Sequence, residues 1–397
     1  MYRQILTING GSSSIKFALY ECGESLRQKL SGKIDRIGLS GTSLTFEGAA
    51  GRERIGLSIT DHKSAASFLV NWLETQDGFG ALLGVGHRVV HGMQHFAPEV
   101  VTQELLDELR LISPCDEEHM PREIELIETF RARHPALPQI VCFDTEFHRH
   151  MPRVAKLLAI PRRYDAKGIQ RYGFHGLSYA YLMEELARLG KSAATAGRVI
   201  LAHLGGGCSM AAVLDGRCID TSMGFTPAAG LVMGTRSGDL DPGLASYLAR
   251  TEGMTAAEID EMVNHESGLL GVSETSSDVR DLLTKESSDV RAAEAIALFC
   301  HQAKKWIGAF AAELGGVDTV VFAGGIGENS PVIRARICEG LKFLGVELDA
   351  ALNSANTGII SSGRVKVRVI RTDEELMIAR SVRRIISADE NEAETKR

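Results

Sequence analysis

Apolar and polar positions mark out a strand, a glycine-rich turn and a returning strand at two widely separated places in the chain. Residues 3–8 read as a strand, Asn9-Gly10-Gly11-Ser12-Ser13-Ser14 as a turn, and residues 15–20 as the return. Residues 199–202 lead likewise into His203-Leu204-Gly205-Gly206-Gly207-Cys208-Ser209, then residues 210–214 and an Asp215-Gly216 hairpin signal. At a constant offset Leu6 falls on Leu201, Gly10 on Gly205, Gly11 on Gly206, Ser14 on Ser209 and Leu19 on Leu214. This predicts a duplicated, three-stranded lobe; the alternative is a chance match of two glycine-rich hairpins.

A third glycine-rich segment, Ala323-Gly324-Gly325-Ile326-Gly327-Glu328-Asn329, follows a strand at 318–322. Helical spacing marks residues 292–314 and the run Ile124, Ile127, Phe130. Strands mixed with crossover helices make the fold α/β. Thr372 and Glu375 are spaced as a capping box, which starts a last helix running to about residue 386, with 387–397 a charged, frayed tail.

A chain of 397 residues exceeds one ordinary core, so two domains are expected. The net charge of −7 argues against a nucleic-acid binder, and any anionic ligand must be met by locally placed Arg, Lys or backbone N–H groups. No secretory leader and no membrane-length apolar run is apparent. Seven cysteines without a C-x-x-C pair read as reduced, mostly buried thiols, so no zinc site and a cytoplasmic address are expected.

The loop from Asn9 to Ser14 offers small residues, hydroxyls and the nearby Lys16, all suited to a phosphate. It is neither a Walker A loop nor a Rossmann turn, because the spacing is absent and a strand follows instead of a helix. One such hairpin is ordinarily just a hairpin. Two of them with GGIGEN present three phosphate-cradling backbones, as in a duplicated, actin-like or RNase H-like nucleotide clamp. His175 alone reads as a structural histidine and Arg236 alone as a loop brace. With Arg88 they form the set that transfer to an anionic acceptor requires, because nucleophile and phosphate repel.

The segments INGGSSSIKF, GHRVVHG, FDTEFH, RYGFHGLSY, DTSMGFTPAAGLVMGTRSGDLDPG, SSDVRDL, FAGGIGEN and TDEELMIAR resemble, in order, those of the acetate kinase family. The resemblance implies the duplicated actin-like fold, with lobes at 1–148 (completed by a helix at 375–397) and 149–374, and a homodimer. It also implies interconversion of ATP and a short-chain carboxylate, acetate or propionate, with ADP and acyl phosphate. Arg88 and Arg236 would bracket the carboxylate and the moving phosphoryl, His175 would bond an equatorial oxygen, and Asp144 would orient an arginine or the metal's waters. Val90, Phe174 and Pro227 would line the acyl pocket. Asn9 and Glu374 would hold Mg²⁺, with Mn²⁺ as an alternative; Glu374 also reads as a favourable first-turn charge. His203, Leu204, Gly205, Gly206, Gly207, Asp278, Val279, Arg280, Gly325, Ile326, Gly327, Glu328 and Asn329 would seat the nucleotide, with Ser12, Ser14 and Lys16 near its phosphates.

A carboxylate is already ionised at neutral pH, so direct in-line transfer needs no general base, unlike transfer to a sugar hydroxyl. The sequence departs from the family's pattern at Glu118, where an apolar pocket residue is expected, with His119 beside it. It departs again at Gly206, where an Asn is usual. A sugar or polyol kinase of the same fold leaves the Arg88 and Arg236 pair unexplained. An actin- or Hsp70-like binding module would need a partner-binding insertion for which the chain has no room.

Overall fold

The central strand of the first sheet, QILTING, is buried along its whole length, its apolar Ile5, Leu6 and Ile8 interleaved with the buried polar Gln4, Thr7 and Asn9, and it pairs antiparallel on one side and parallel on the other. The computed structural model describes residues 3–11, 13–190 and 197–395; Ser12, expected near the phosphates, lies outside the described residues. The chain divides into two compact units, Met1–Glu146 with Asp373–Arg397, and Phe147–Thr372.

The first unit holds β1 (Gln4–Gly10), β2 (Ser14–Cys22), β3 (Leu26–Asp35), β4 (Ser43–Gly48), β5 (Gly51–Gly56), β6 (Leu82–Val89), β7 (Glu99–Val100) and β8 (Gln139–Phe143), in the order β5-β4-β3-β2-β1-β6-β8-β7. The second holds β9 (Arg198–Leu204), β10 (Cys208–Leu214), β11 (Arg217–Thr221), β12 (Thr319–Ala323) and β13 (Lys366–Val369), in the order β11-β10-β9-β12-β13. The core β3-β2-β1-β6-β8 repeats as β11-β10-β9-β12-β13. In both, an antiparallel hairpin leads to three strands that run parallel. That is the duplicated actin-like, RNase H-like α/β fold.

The duplication holds for topology and not for a constant offset. Leu6 faces Leu19, but Leu201 faces Ala211, and Leu214 faces Arg198. Gly10 pairs with Ile15 across four intervening residues, whereas Leu204 pairs with Cys208 across three. The expected match of Ser14 with Ser209 and of Leu19 with Leu214 therefore fails on the returning strand. The Asp215-Gly216 signal is a turn with both residues left-handed, at φ 47 and 80°.

In the first unit the helix His62–Glu74 buries Leu69, Val70 and Leu73 in the cluster formed by Leu6, Phe17, Leu19 and Phe130. In the second, Tyr179, Leu182 and Leu186 of the helix Gly176–Gly190 pack with Leu201, Val213 and Val321. The helix Val290–Glu313 buries a stripe at Ala292, Ile296, Phe299, Ala303, Ile307 and Phe310, as its spacing predicts.

The last helix, Glu374–Thr395, returns to the first unit. It lies so close to β6 that a Cβ on Gly86 would fall 2.4 Å from Ile378 Cγ2. The expected capping box does not form. Asp373 caps the helix by accepting the Leu376 N–H (2.9 Å), the Thr372 hydroxyl bonds Ser178 (2.8 Å), and Glu375 bonds Asn9. An Asp one position closer to the helix wins the cap. The helix also continues past residue 386, since alanines and glutamates in this stretch favour it.

Arg334 is fully buried in the second unit without a carboxylate partner among the described residues. It donates to the Gly327 and Glu328 carbonyls (2.8 and 3.0 Å) and to Asn353 Oδ1 and its carbonyl (2.9 and 3.0 Å), and so closes the carboxyl end of the helix Gly324–Asn329. Arg334→Met strands these acceptors and is expected to cost at least about 2 kcal/mol. The check is a lower urea midpoint at an unchanged denaturant slope.

Candidate active site

Parallel pairing of β1 with β6 and of β6 with β8 puts their carboxyl ends side by side, which delivers Asn9, Arg88 and Asp144 to one edge of the first sheet. The Arg88 side chain is 13% exposed. Its Nε and Nη2 donate to Asp144 Oδ2 (3.0 and 2.6 Å), and its Nη1 to the Gly10 carbonyl (3.0 Å) and Glu123 Oε1 (3.1 Å). Glu123, on the helix Met120–Arg133, accepts the Val90 N–H at its other oxygen (2.9 Å). Burial opposes the Arg88 charge, but Asp144 and Glu123 outweigh it and hold the guanidinium ionised. Burial pushes the Glu123 carboxyl up to about 8, against the pull of Arg88 and the Val90 N–H. Burial likewise raises Asp144, with the Glu374 charge adding to it.

Asn9 Nδ2 donates to Glu374 Oε2 (3.0 Å) and Glu375 Oε1 (3.2 Å). Lys16 stands opposite Asn9 on β2, and its charge faces Glu375. His119 is buried with Nδ1 2.9 Å from Asp116. Asp144 Oδ1 is buried without a hydrogen-bond partner. This oxygen-rich cluster suits a hard cation. Among the described residues no group of three or more His, Cys, Asp or Glu side chains converges on a metal position, so such an ion would take few protein ligands and keep waters.

The second unit presents N–H donors instead. His175 is left-handed (φ 58°) at the start of the helix Gly176–Gly190, an uncommon conformation for a residue with a side chain. Its ring stacks on His203, with centroids 4.4 Å apart. A Cβ placed on Gly207 would lie 3.3 Å from His175 Nε2 and 3.6 Å from Arg236 Nη1; one on Gly205 would lie 3.8 Å from both His203 Nε2 and the Gly325 nitrogen. The glycine turn is thus bounded by four nitrogens.

Arg236 makes no ion pair among the described residues, and its Nη1 has only the Pro227 carbonyl (3.4 Å) and the Met233 sulfur (3.9 Å) in reach. The brace runs through its neighbours: Ser237 N donates to the Val263 carbonyl (2.9 Å) and Thr235 Oγ1 to Asn264 (2.8 Å), both in the π-helical turn Met262–Glu266.

Gly324 (φ 75°) admits no side chain, because a Cβ would fall 2.6 Å from the Leu204 carbonyl. The third glycine-rich segment is the short helix Gly324–Asn329, with Gly325, Ile326 and Gly327 in its first turn. Glu328 serves this backbone, since Oε1 accepts the Gly324 and Thr372 N–H groups (3.0 and 3.2 Å). Asn329 likewise bonds the Gly325 carbonyl (2.9 Å). Asp278 caps the helix Val279–Lys285 and pairs with Arg280, whose side chain is 87% exposed. Val90, Phe174 and Leu204 are buried, and Pro227 is half-buried. Ser14 accepts the Gly11 N–H at its carbonyl (2.7 Å). Glu118 lies 3.9 Å from His119, and a Cβ added at Gly206 would meet open space.

Glu123, Asp116, Ser209, Tyr179, Ser178 and Arg334 are residues that sequence reasoning missed. Glu123 carried one signal, an acidic residue on the buried stripe with Ile124 and Ile127.

A carboxyl raised on folding holds its proton more tightly in the native state. Its stabilising contribution is complete below the unfolded value near ~4.5 and is lost as pH rises to about 8. The urea midpoint is expected to fall between pH 5 and pH 8. Glu123→Gln, which keeps an acceptor for Val90, should flatten that slope; an unchanged slope contradicts a protonated Glu123.

The acetokinase family model matches residues 4–380. An acetate kinase of Rhodopseudomonas palustris is 44% identical over 96% of this chain and 98% of its own. A propionate kinase of Citrobacter rodentium is 41% identical over 98% of each. The crystal structure of Porphyromonas gingivalis acetate kinase superposes with a TM-score of 0.85 at 34% identity, covering 97% of this chain and all of that one. With the duplicated fold, the buried arginine and the nitrogen-lined glycine turn already in place, the chain belongs to the acetokinase family.

Proposed function

We propose that the chain transfers the terminal phosphoryl group of ATP to acetate, giving acetyl phosphate and ADP, and catalyses the reverse reaction. Beyond family membership, one observation carries this reading: the half-buried Arg236 guanidinium stands beside His175 Nε2 at the glycine turn without an ion pair among the described residues. A cation and an N–H donor left in this way suit a ligand that brings its own negative charge.

The acceptor carboxylate attacks phosphorus through an oxygen that is already ionised, so no proton has to be removed. The new O–P bond forms as the bond to the ADP oxygen breaks, with positioning and charge neutralisation as the main catalytic terms. Arg236 and His175 would donate to the equatorial oxygens of the moving group. Arg88, fixed by Asp144 and Glu123, would hold the acetate carboxylate, with Val90, Phe174 and Pro227 lining its methyl group. The nucleotide would rest on Gly205, Gly206 and Gly207, on Gly325 to Asn329 and on Asp278 to Arg280, with Lys16 near its phosphates. Asn9 and Glu374 would hold Mg²⁺, with Asp144 Oδ1 ordering its waters. When bound, the ion would neutralise charge on the β- and γ-phosphates.

A homodimer is supported by the helix Pro242–Thr251, which buries none of its residues and leaves Leu244 and Tyr247 exposed. A cytoplasmic location is supported by seven free cysteines, five of them buried. No helix among the described residues is long and apolar enough to cross a membrane. A propionate preference is the nearest second reading, supported by the likeness to the propionate kinase of Citrobacter rodentium.

Incubation with Mg-ATP, hydroxylamine and acetate, propionate or butyrate should give most acyl hydroxamate with acetate; none with any of the three overturns the proposal. Arg236→Ala should lower kcat/KM at least about 100-fold. Wild-type turnover in that variant removes Arg236 from the mechanism.

A further inference from the structure

We propose that two hydroxyl relays hold His175 and His203 as neutral imidazoles protonated on Nε2, so that Tyr179, Ser209, Ser178 and Thr372 are positioning residues for phosphoryl transfer. The tautomers do not depend on the kinase reading; their catalytic consequence does.

The first relay ends on His175. Ser209 is fully buried, and its hydroxyl has two partners among the described residues, His175 Nδ1 at 2.8 Å and the Tyr179 hydroxyl. The Tyr179 oxygen also faces the backbone N–H of His203, which can only donate. Burial pushes the Tyr179 phenol up, so it keeps its proton. That proton has the Ser209 oxygen as its acceptor, and the Ser209 proton then has only His175 Nδ1. The reverse direction would leave the phenol proton with no acceptor in a buried position. The second relay ends on His203. Ser178, also fully buried, accepts from Thr372 (2.8 Å) and lies 2.8 Å from His203 Nδ1, so its proton goes to that ring nitrogen.

Each ring nitrogen that accepts leaves the proton on the other, which is how a histidine's tautomer is set. The two Nε2–H groups then face the glycine turn as fixed donors. Stacking at 4.4 Å acts the same way, because two charged rings at that distance would repel. The titratable groups around the pair are Arg236 across the turn, Tyr179 and Cys208 behind the rings, Cys218 and His148 beyond Tyr179, and Glu328 behind Thr372.

Selective ¹⁵N labelling of histidine in the full-length protein reads the tautomers directly, with signals assigned by loss in His175→Asn and His203→Asn. At pH 8 both rings should show an unprotonated, hydrogen-bonded Nδ1. Tyr179→Phe should convert His175, and Thr372→Val should convert His203, to a tautomer mixture. An Nδ1-protonated or doubly protonated ring in the wild type overturns the proposal, whether or not acetate is phosphorylated. In turnover, Ser209→Ala should lower kcat roughly tenfold at pH 8 with little change in the acetate KM. The deficit should shrink toward pH 6, where an imidazolium carries N–H on both nitrogens. Thr372→Ser should restore what Thr372→Val loses. An equal loss at both pH values, with no rescue, assigns these hydroxyls to structure only.

Discussion

A guanidinium taken out of water has to have its charge met within the fold, and Arg88 has it met where three parallel strands end. Removing such a charge from solvent is recovered only when its hydrogen bonds are complete. The Gly10 carbonyl from β1, Asp144 after β8 and Glu123 from the helix Met120–Arg133 together complete them. One side chain of β6 therefore sets the spacing of four elements. Asn9 and Val90 inherit their places from it, Asn9 as the neighbour of Gly10 and Val90 through the Glu123 carboxyl.

The two units divide the polar chemistry by sign. The first gathers Asp144, Glu374 and Glu375 around Arg88 and Lys16, an arrangement short of positive charge. The second surrounds its glycine turn with imidazole, guanidinium and backbone nitrogen. The same end of the first hairpin strand serves both. Asn9 and His203 each occupy the next-to-last residue of the first hairpin strand, and each faces a polar residue on the second, Lys16 and Ser209.

The three glycine-rich segments and their strands were legible in the sequence because hydrophobic alternation and turn chemistry are local. The duplicated sheet was legible as well, but the returning strand was not, since its register depends on hydrogen bonds closed across the turn. The Thr372 and Glu375 pair looked like a cap by spacing. Asp373 takes that role because Ser178 and Asn9, remote in sequence, draw its rivals away. Glu123 was hidden in a segment without a polar motif, and the relay hydroxyls of Ser178, Tyr179 and Ser209 lay inside legible motifs but without an assigned role, because only tertiary contact aims them.

The register of the second hairpin reaches beyond its turn. Residues paired across an antiparallel ladder share a face, and Ser209 lies opposite His203, which puts its hydroxyl on the histidine side. A slip of β10 by one residue would turn every side chain of that strand over and point Ser209 away from both histidines. The pairing of Leu204 with Cys208 is therefore the constraint, while Gly206 between them, with open space around it, is a position where the sequence is free to drift.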